Sequence, residues 1–199
     1  VELVISLINF IAMVSSSLLT SFFYIKSVQP AALEKKVGEK AYKICAAYRF
    51  IAGILMFVLV GTQFIYFFFP LPINCPRFFP WDYWISVLIA TIILIPSLTL
   101  MLKGVKDAGK ETMRPFKEQT LYGGIYEKIR HPQALGEVWL WWIVPFLLNS
   151  PFLALYSLIA IPIFYLFCVF EEKDLKIRYG RAYIDYKERT GMFIPKRKR

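Results

Sequence analysis

Apolar residues in this chain fall into five blocks, 3–24, 48–69, 85–102, 135–148 and 152–170, separated by polar and mostly basic stretches. A helix needs about 20 mostly apolar residues to cross roughly 30 Å of hydrocarbon, so blocks of this kind predict transmembrane helices. The first block is too long for a signal-peptide core and lacks a basic leader, so it reads as a span. It carries Asn9 and the run Ser15-Ser16-Ser17, small polar residues that suit helix–helix contact in lipid. The third holds Pro96, where a kink is expected. The fourth is short for a full crossing: its helix either starts before the apolar run, near Pro132, or stops inside the bilayer. Asn149-Ser150-Pro151 joins the fourth and fifth blocks, and so short a link predicts an antiparallel helical hairpin.

Breakers and anchors separate the blocks. Pro70, Pro72, Pro76 and Pro80 exclude helix between the second and third, and Trp81, Tyr83 and Trp84 mark a membrane–water interface. The expected fold is therefore an all-α integral membrane protein with about five transmembrane helices and a cytoplasmic C-terminal helical segment. Residues 1–102 supply three helices with their loops. Residues 103–199 form a second region, with the hairpin and the tail.

Charge orients this plan. Of 24 lysines and arginines, 6 lie in 26–49, 7 in 103–131 and 10 in 171–199, with Arg77 alone elsewhere. Five crossings put those three segments on one side, and the excess of basic residues marks that side as cytoplasmic. The N-terminus is then outside or lumenal and the C-terminus inside, in a cell membrane or an endomembrane. The net charge of +10 is thereby explained without nucleic acid. A single histidine, His131, and three scattered cysteines exclude a histidine-cluster metal site and a disulfide framework. No internal repeat is visible, which argues against an inverted-repeat transporter.

Two of the basic segments carry more than charge. In the first, Gly123-Gly124 permits close backbone approach, and Pro132 suits the first turn of a helix. Arg130 and His131 would then stand at a helix N-terminus, a place that attracts anions; a basic headgroup anchor explains them equally well. In the second, Glu171-Glu172 follows the fifth block, and Leu175, Tyr179, Tyr183 and Tyr186 recur as on one face of a continuing helix. Such a stripe is more often packing than a ligand box. Glu137, one turn into the fourth block, is an expensive place for an acid.

Tyr126, Arg130-His131-Pro132, Gly136, the hairpin, Glu171-Glu172, Leu175, Tyr179-Gly180, Tyr183 and Tyr186 together resemble the isoprenylcysteine carboxyl methyltransferase family, whose wider group includes membrane phospholipid methyltransferases. The likeness covers roughly the last 85 residues well and the first three spans by hydropathy only. It implies S-adenosylmethionine in a cytoplasm-facing pocket and methyl transfer to a lipophilic or small acceptor. It implies cofactor contacts at Glu118, Gln119, Thr120, Leu121, Tyr126, His131, Pro132, Ala134, Gly136, Glu171 and Glu172, with Glu171 and Arg130 as the catalytic pair. Arg130 or His131 would take the methionyl carboxylate, a glutamate the amino group or ribose hydroxyls, and tyrosines the adenine and sulfonium. Ala134 stands where the family often has an aromatic residue. Phe167 replaces an arginine that meets the substrate carboxylate, so an amine, a thiol or another lipophilic acceptor fits at least as well. Two other readings compete: an NADPH-dependent reductase like the C-terminal part of sterol reductases, and a non-enzymatic scaffold held to anionic lipid by Lys196-Arg197-Lys198-Arg199.

Overall fold

The computed structural model describes residues 1–112, 115 and 123–196. Among these the chain is almost wholly helical, with one isolated bridge between Ile129 and Gly191 and no strand. The helices are α1 (Glu2–Ser27), α2 (Pro30–Val37), α3 (Lys40–Phe68), α4 (Tyr83–Ala108), α5 (Pro132–Leu140), α6 (Ile143–Leu147), α7 (Pro151–Tyr156), α8 (Ala160–Tyr179) and α9 (Arg181–Arg189).

Four stretches are long and apolar enough to cross a membrane: α1, α3, α4 and the nearly continuous run Pro151–Tyr179 made by α7 and α8. This is a multi-pass membrane protein, and its burial pattern suits one. Phe57 is 80% exposed and Phe50 71%, whereas the buried face of α1 is polar and small: Ser6, Asn9, Ser16, Ser17 and Thr20. Between helices in lipid there is little hydrophobic gain, so close packing and hydrogen bonds hold them together. Asn9 donates to the Thr62 carbonyl on α3 at 3.0 Å, and the Ser17 and Tyr156 hydroxyls meet at 2.7 Å.

The fourth apolar block departs from a simple span. It forms two short helices, α5 and α6, rather than one of crossing length. The pair nevertheless runs antiparallel to α4. Gly104 abuts Gln133, and Gly136 lies against Ser97 and Met101. Tyr83 donates to the Leu147 carbonyl at 2.9 Å, and Ser86 to the Asn149 side chain at 2.6 Å. Helix α4 itself continues through Pro96.

These contacts divide the molecule into two ends. The start of α1, the end of α3, the start of α4 and the Asn149 turn share one, where Tyr66 stacks on Phe152 and Phe79 on Phe146. The polar segments share the other. There Asp174, on α8, accepts from the backbone N–H groups of Ala31 at 3.1 Å and Ala32 at 2.8 Å, capping α2 from a distant part of the chain. Arg49 on α3 donates to the Thr112 carbonyl at 3.1 Å.

Candidate functional site

At the polar end the chain builds a buried ionic cluster. Pro132 opens α5, as its ring favours, and His131 just before it is extended rather than helical. This segment pairs with the C-terminal chain: Arg130 N–H donates to Gly191 at 2.8 Å, and His131 N–H to Met192 at 3.2 Å. Two buried side chains thereby meet α8. Arg130 Nε donates to Glu172 Oε1 at 2.6 Å, and its Nη1 also donates to the Lys187 and Thr190 carbonyls. Lys187 Nζ closes the other side of the same carboxylate, 2.5 Å from Oε2. His131 bridges both glutamates, with Nδ1 3.3 Å from Glu171 and Nε2 3.2 Å from Glu172.

Electrostatics follow from that geometry. Burial by itself would depress the His131 imidazolium, but hydrogen bonds with Cys168, Glu171 and Glu172 outweigh it and raise its pKa well above the ordinary range. With both ring nitrogens facing carboxylates, His131 acts as a protonated clamp. Arg130 is likewise committed: its guanidinium serves Glu172 and two backbone carbonyls. Both side chains at this helix start thus already meet carboxylates of α8, and both also border the open space beside the cluster.

Beside the cluster lies a cleft holding about 940 Å³ of open space, its solvent mouth included. Glu171 faces it; Glu172 does not line it. Leu175, Tyr179, Tyr183 and Tyr186 all reach it, but not as one continuous helical face. Helix α8 ends at Tyr179, Gly180 takes φ +55°, and α9 sets off in a new direction. A left-handed glycine makes that break, and the two helices then wrap their tyrosines around one space. The Tyr186 hydroxyl donates to the Tyr126 carbonyl at 2.7 Å, which holds α9 against the short 3₁₀ turn Gly124–Glu127. Gly124 has φ +64°, and Asp107 accepts from the next N–H, of Ile125, at 2.8 Å. The Tyr183 hydroxyl is different: it is buried, borders the cleft and has no hydrogen-bond partner among the described residues.

Of the residues singled out from sequence, Tyr126, Arg130, His131, Ala134 and Glu171 border the cleft. Gly136 does not; it is the point where α5 presses on α4, and a methyl group there would lie 2.5 Å from the Ser97 carbonyl. Pro132 is buried as the start of α5. Glu118, Gln119, Thr120 and Leu121 lie outside the described residues, as do the last three of the tail. Phe167 is buried and stacked on Tyr24, ring centroids 4.3 Å apart.

The structure adds Tyr24, Arg49, Asp174 and Arg178 to the cleft. One signal for Arg49 was legible: it falls inside the second apolar block, where a cation calls for a reason.

A family model described as NnrU protein matches residues 9–193, nearly the full chain, which therefore belongs to that family. No curated protein and no solved structure matches it.

Proposed function

For this member of the NnrU family we propose an integral membrane S-adenosylmethionine-dependent methyltransferase acting on a lipophilic or small acceptor. One observation carries the reading: two carboxylates, three arginines and five tyrosines, from α1, α3, the 3₁₀ turn Gly124–Glu127, the segment before α5, α8 and α9, converge on a single cleft. The orphaned Tyr183 hydroxyl inside it is a group that a polar ligand would satisfy.

The donor set fits the cofactor's parts. Glu171 offers acceptor oxygens for an ammonium group or ribose hydroxyls. Arg49, Arg130 and Arg178 border the space and bring cationic N–H groups to the side where a carboxylate would sit. Tyr126, Tyr179, Tyr183 and Tyr186 offer ring faces for a purine and for a sulfonium. When bound, the cofactor supplies an electrophilic methyl group on a positively charged sulfur. The protein's share is alignment, which can supply several kcal/mol of a barrier with no covalent intermediate. Arg130, His131 and Glu172 act as positioning residues, fixing Glu171 and α9 around the space.

The finer topology belongs to this proposal. Ser86 and Gly104 are about 27 Å apart along α4 at 1.5 Å per residue, and the chain from Gln133 to Asn149 covers that length in reverse. We read it as a fifth crossing, with the basic end cytoplasmic and the N-terminus outside. Maleimide that cannot cross membranes should then label Cys75, in the proline-rich loop, from the outer face of intact cells.

The deciding experiment is calorimetry of the purified, folded protein with S-adenosylhomocysteine. Saturable binding that Glu171→Gln weakens at least about tenfold, or about 1.4 kcal/mol, is expected. Absence of heat in protein of native unfolding temperature would sink the reading. Thermal protection by NADPH in its place would transfer the cleft to a reductase.

A further inference from the structure

A second space adjoins the cleft and opens sideways, toward the exposed faces of α3. It holds about 1810 Å³ with its open side included, and it shares Tyr24, Arg49, Thr112, Pro115 and Gln133 with the cleft. Along α3 its wall is polar at the near end, with Tyr42, Lys43 and Arg49, and apolar beyond, with Phe50, Gly53, Ile54 and Phe57; Phe50 and Phe57 are among the most exposed side chains of the molecule. In a chain of this kind the exposed apolar faces meet lipid tails, so on the Phe50–Phe57 side the groove opens toward the bilayer. On its inner wall, one turn of α5 beyond Gln133, stands Glu137.

Glu137 is half-buried and has no hydrogen bond or ion pair among the described residues. This sets it apart from Glu171, Glu172 and Asp174, each of which is held by donors. An uncompensated carboxylate facing an apolar groove is costly, and such a group at membrane depth points to a ligand or a proton path. The α3 wall from Phe50 to Phe57 selects an apolar tail; Lys43 and Arg49 lie toward the polar end of the groove, and Glu137 is the acid on its described lining, so a head seated at α5 meets a carboxylate. A carboxylate or phosphate head beside Glu137 is repelled, an alcohol gains one hydrogen bond, and an ammonium gains a charge-assisted one.

We infer that this groove is the acceptor site for a lipophilic amine, with its tail against α3 and its nitrogen at Glu137. The inference rests on the proposed transfer reaction and names its acceptor class. It also gives Glu137 a task there. An ammonium has no lone pair to attack with; passing one proton from the ammonium nitrogen to the Glu137 carboxylate leaves a neutral amine and a neutral acid. The continuity of groove and cleft then brings that nitrogen toward the space bordered by Glu171 and the tyrosines.

The test uses the full chain in phosphatidylcholine nanodiscs and needs no cofactor. Three sixteen-carbon probes carry the same diazirine in the tail and end in an amine, an alcohol or a carboxylate. After illumination, adducts are mapped by peptide mass spectrometry. The amine should label the Phe50–Phe57 stretch most strongly, and Glu137→Gln should reduce that labelling about tenfold while leaving the alcohol's unchanged. Gly53→Leu, which fills the groove at a position with nothing within 4 Å of an added methyl, should block all three probes. Equal labelling by the three probes, preference for the carboxylate, or amine labelling indifferent to Glu137→Gln would overturn the inference. Amine labelling in a protein that gives no heat with S-adenosylhomocysteine would uphold the groove and remove the transfer reaction, so the two failures are distinct.

Discussion

Arg130 and Glu172 form a buried ion pair, Nε to Oε1 2.6 Å, across 42 residues of sequence. Glu172 is enclosed by this pair and by Lys187, while Arg130 also borders the cleft. The pair ties the segment before α5 to α8, and through the Thr190 carbonyl it draws in the chain after α9. The cleft exists because these three pieces are held together.

Breaking one partner of such a pair leaves the other charge uncompensated. Arg130→Met should therefore destabilise the protein by about 3 kcal/mol, at the lower end for a buried pair because Lys187 remains on Glu172. Adding Glu172→Gln should restore part of the loss. Thermal unfolding in detergent of the two single variants and the double variant measures it, and strictly additive losses would show that the pair is not coupled.

His131 makes stability depend on pH in a definite direction. Its folded-state pKa lies above the ordinary imidazole value of about 6.5, because hydrogen bonds with Cys168, Glu171 and Glu172 favour the charged ring and outweigh its burial. The stabilisation is fully present below that ordinary value and fades as pH rises through the raised folded-state pKa. The unfolding midpoint should fall as pH climbs into the alkaline range, and His131→Gln should flatten that part of the curve. An unchanged curve in the variant would reject the imidazolium clamp.

Gly136 and Gly53 give opposite expectations for the same change. A methyl at Gly136 would sit 2.5 Å from the Ser97 carbonyl and 2.6 Å from the Met101 nitrogen, both backbone atoms that cannot swing aside. Gly136→Ala should cost about 1–3 kcal/mol by forcing α5 off α4. A methyl at Gly53 meets nothing within 4 Å, so Gly53→Ala should be neutral or slightly stabilising. Unfolding midpoints of the two variants, compared side by side, decide.

Tyr183 separates ligand binding from folding. Its buried hydroxyl has no partner among the described residues, so Tyr183→Phe removes an unsatisfied group and should hold or raise stability by about 1 kcal/mol. If the cleft takes a polar ligand, the same variant should weaken S-adenosylhomocysteine binding about tenfold. Lower stability with unchanged binding would make Tyr183 a packing residue.

Hydropathy along the chain determined where helices would be long and lipid-facing, because a span is a local property of some twenty consecutive residues. Charge counting determined that 26–49, 103–131 and 171–199 would share an end, and the contacts of Asp174, Arg49 and Arg130 join segments of all three. The proline start of α5 was equally legible, since Pro132 acts on its own backbone. The break at Gly180 could have been read, for a glycine after a periodic run is a helix stop, but the tyrosine spacing masked it. What the sequence could not decide was partnership. Arg130 before a helix start looks the same whether an anion or Glu172 awaits it, and Asp174 gives no local sign that it caps a helix more than 140 residues away. Hydrogen bonds and ion pairs between distant segments depend on how whole helices are set against one another. Only the packing of α5, α8 and α9 made Arg130 and His131 clamps, turned Glu171 toward a cleft, and left Glu137 facing an apolar groove without a partner.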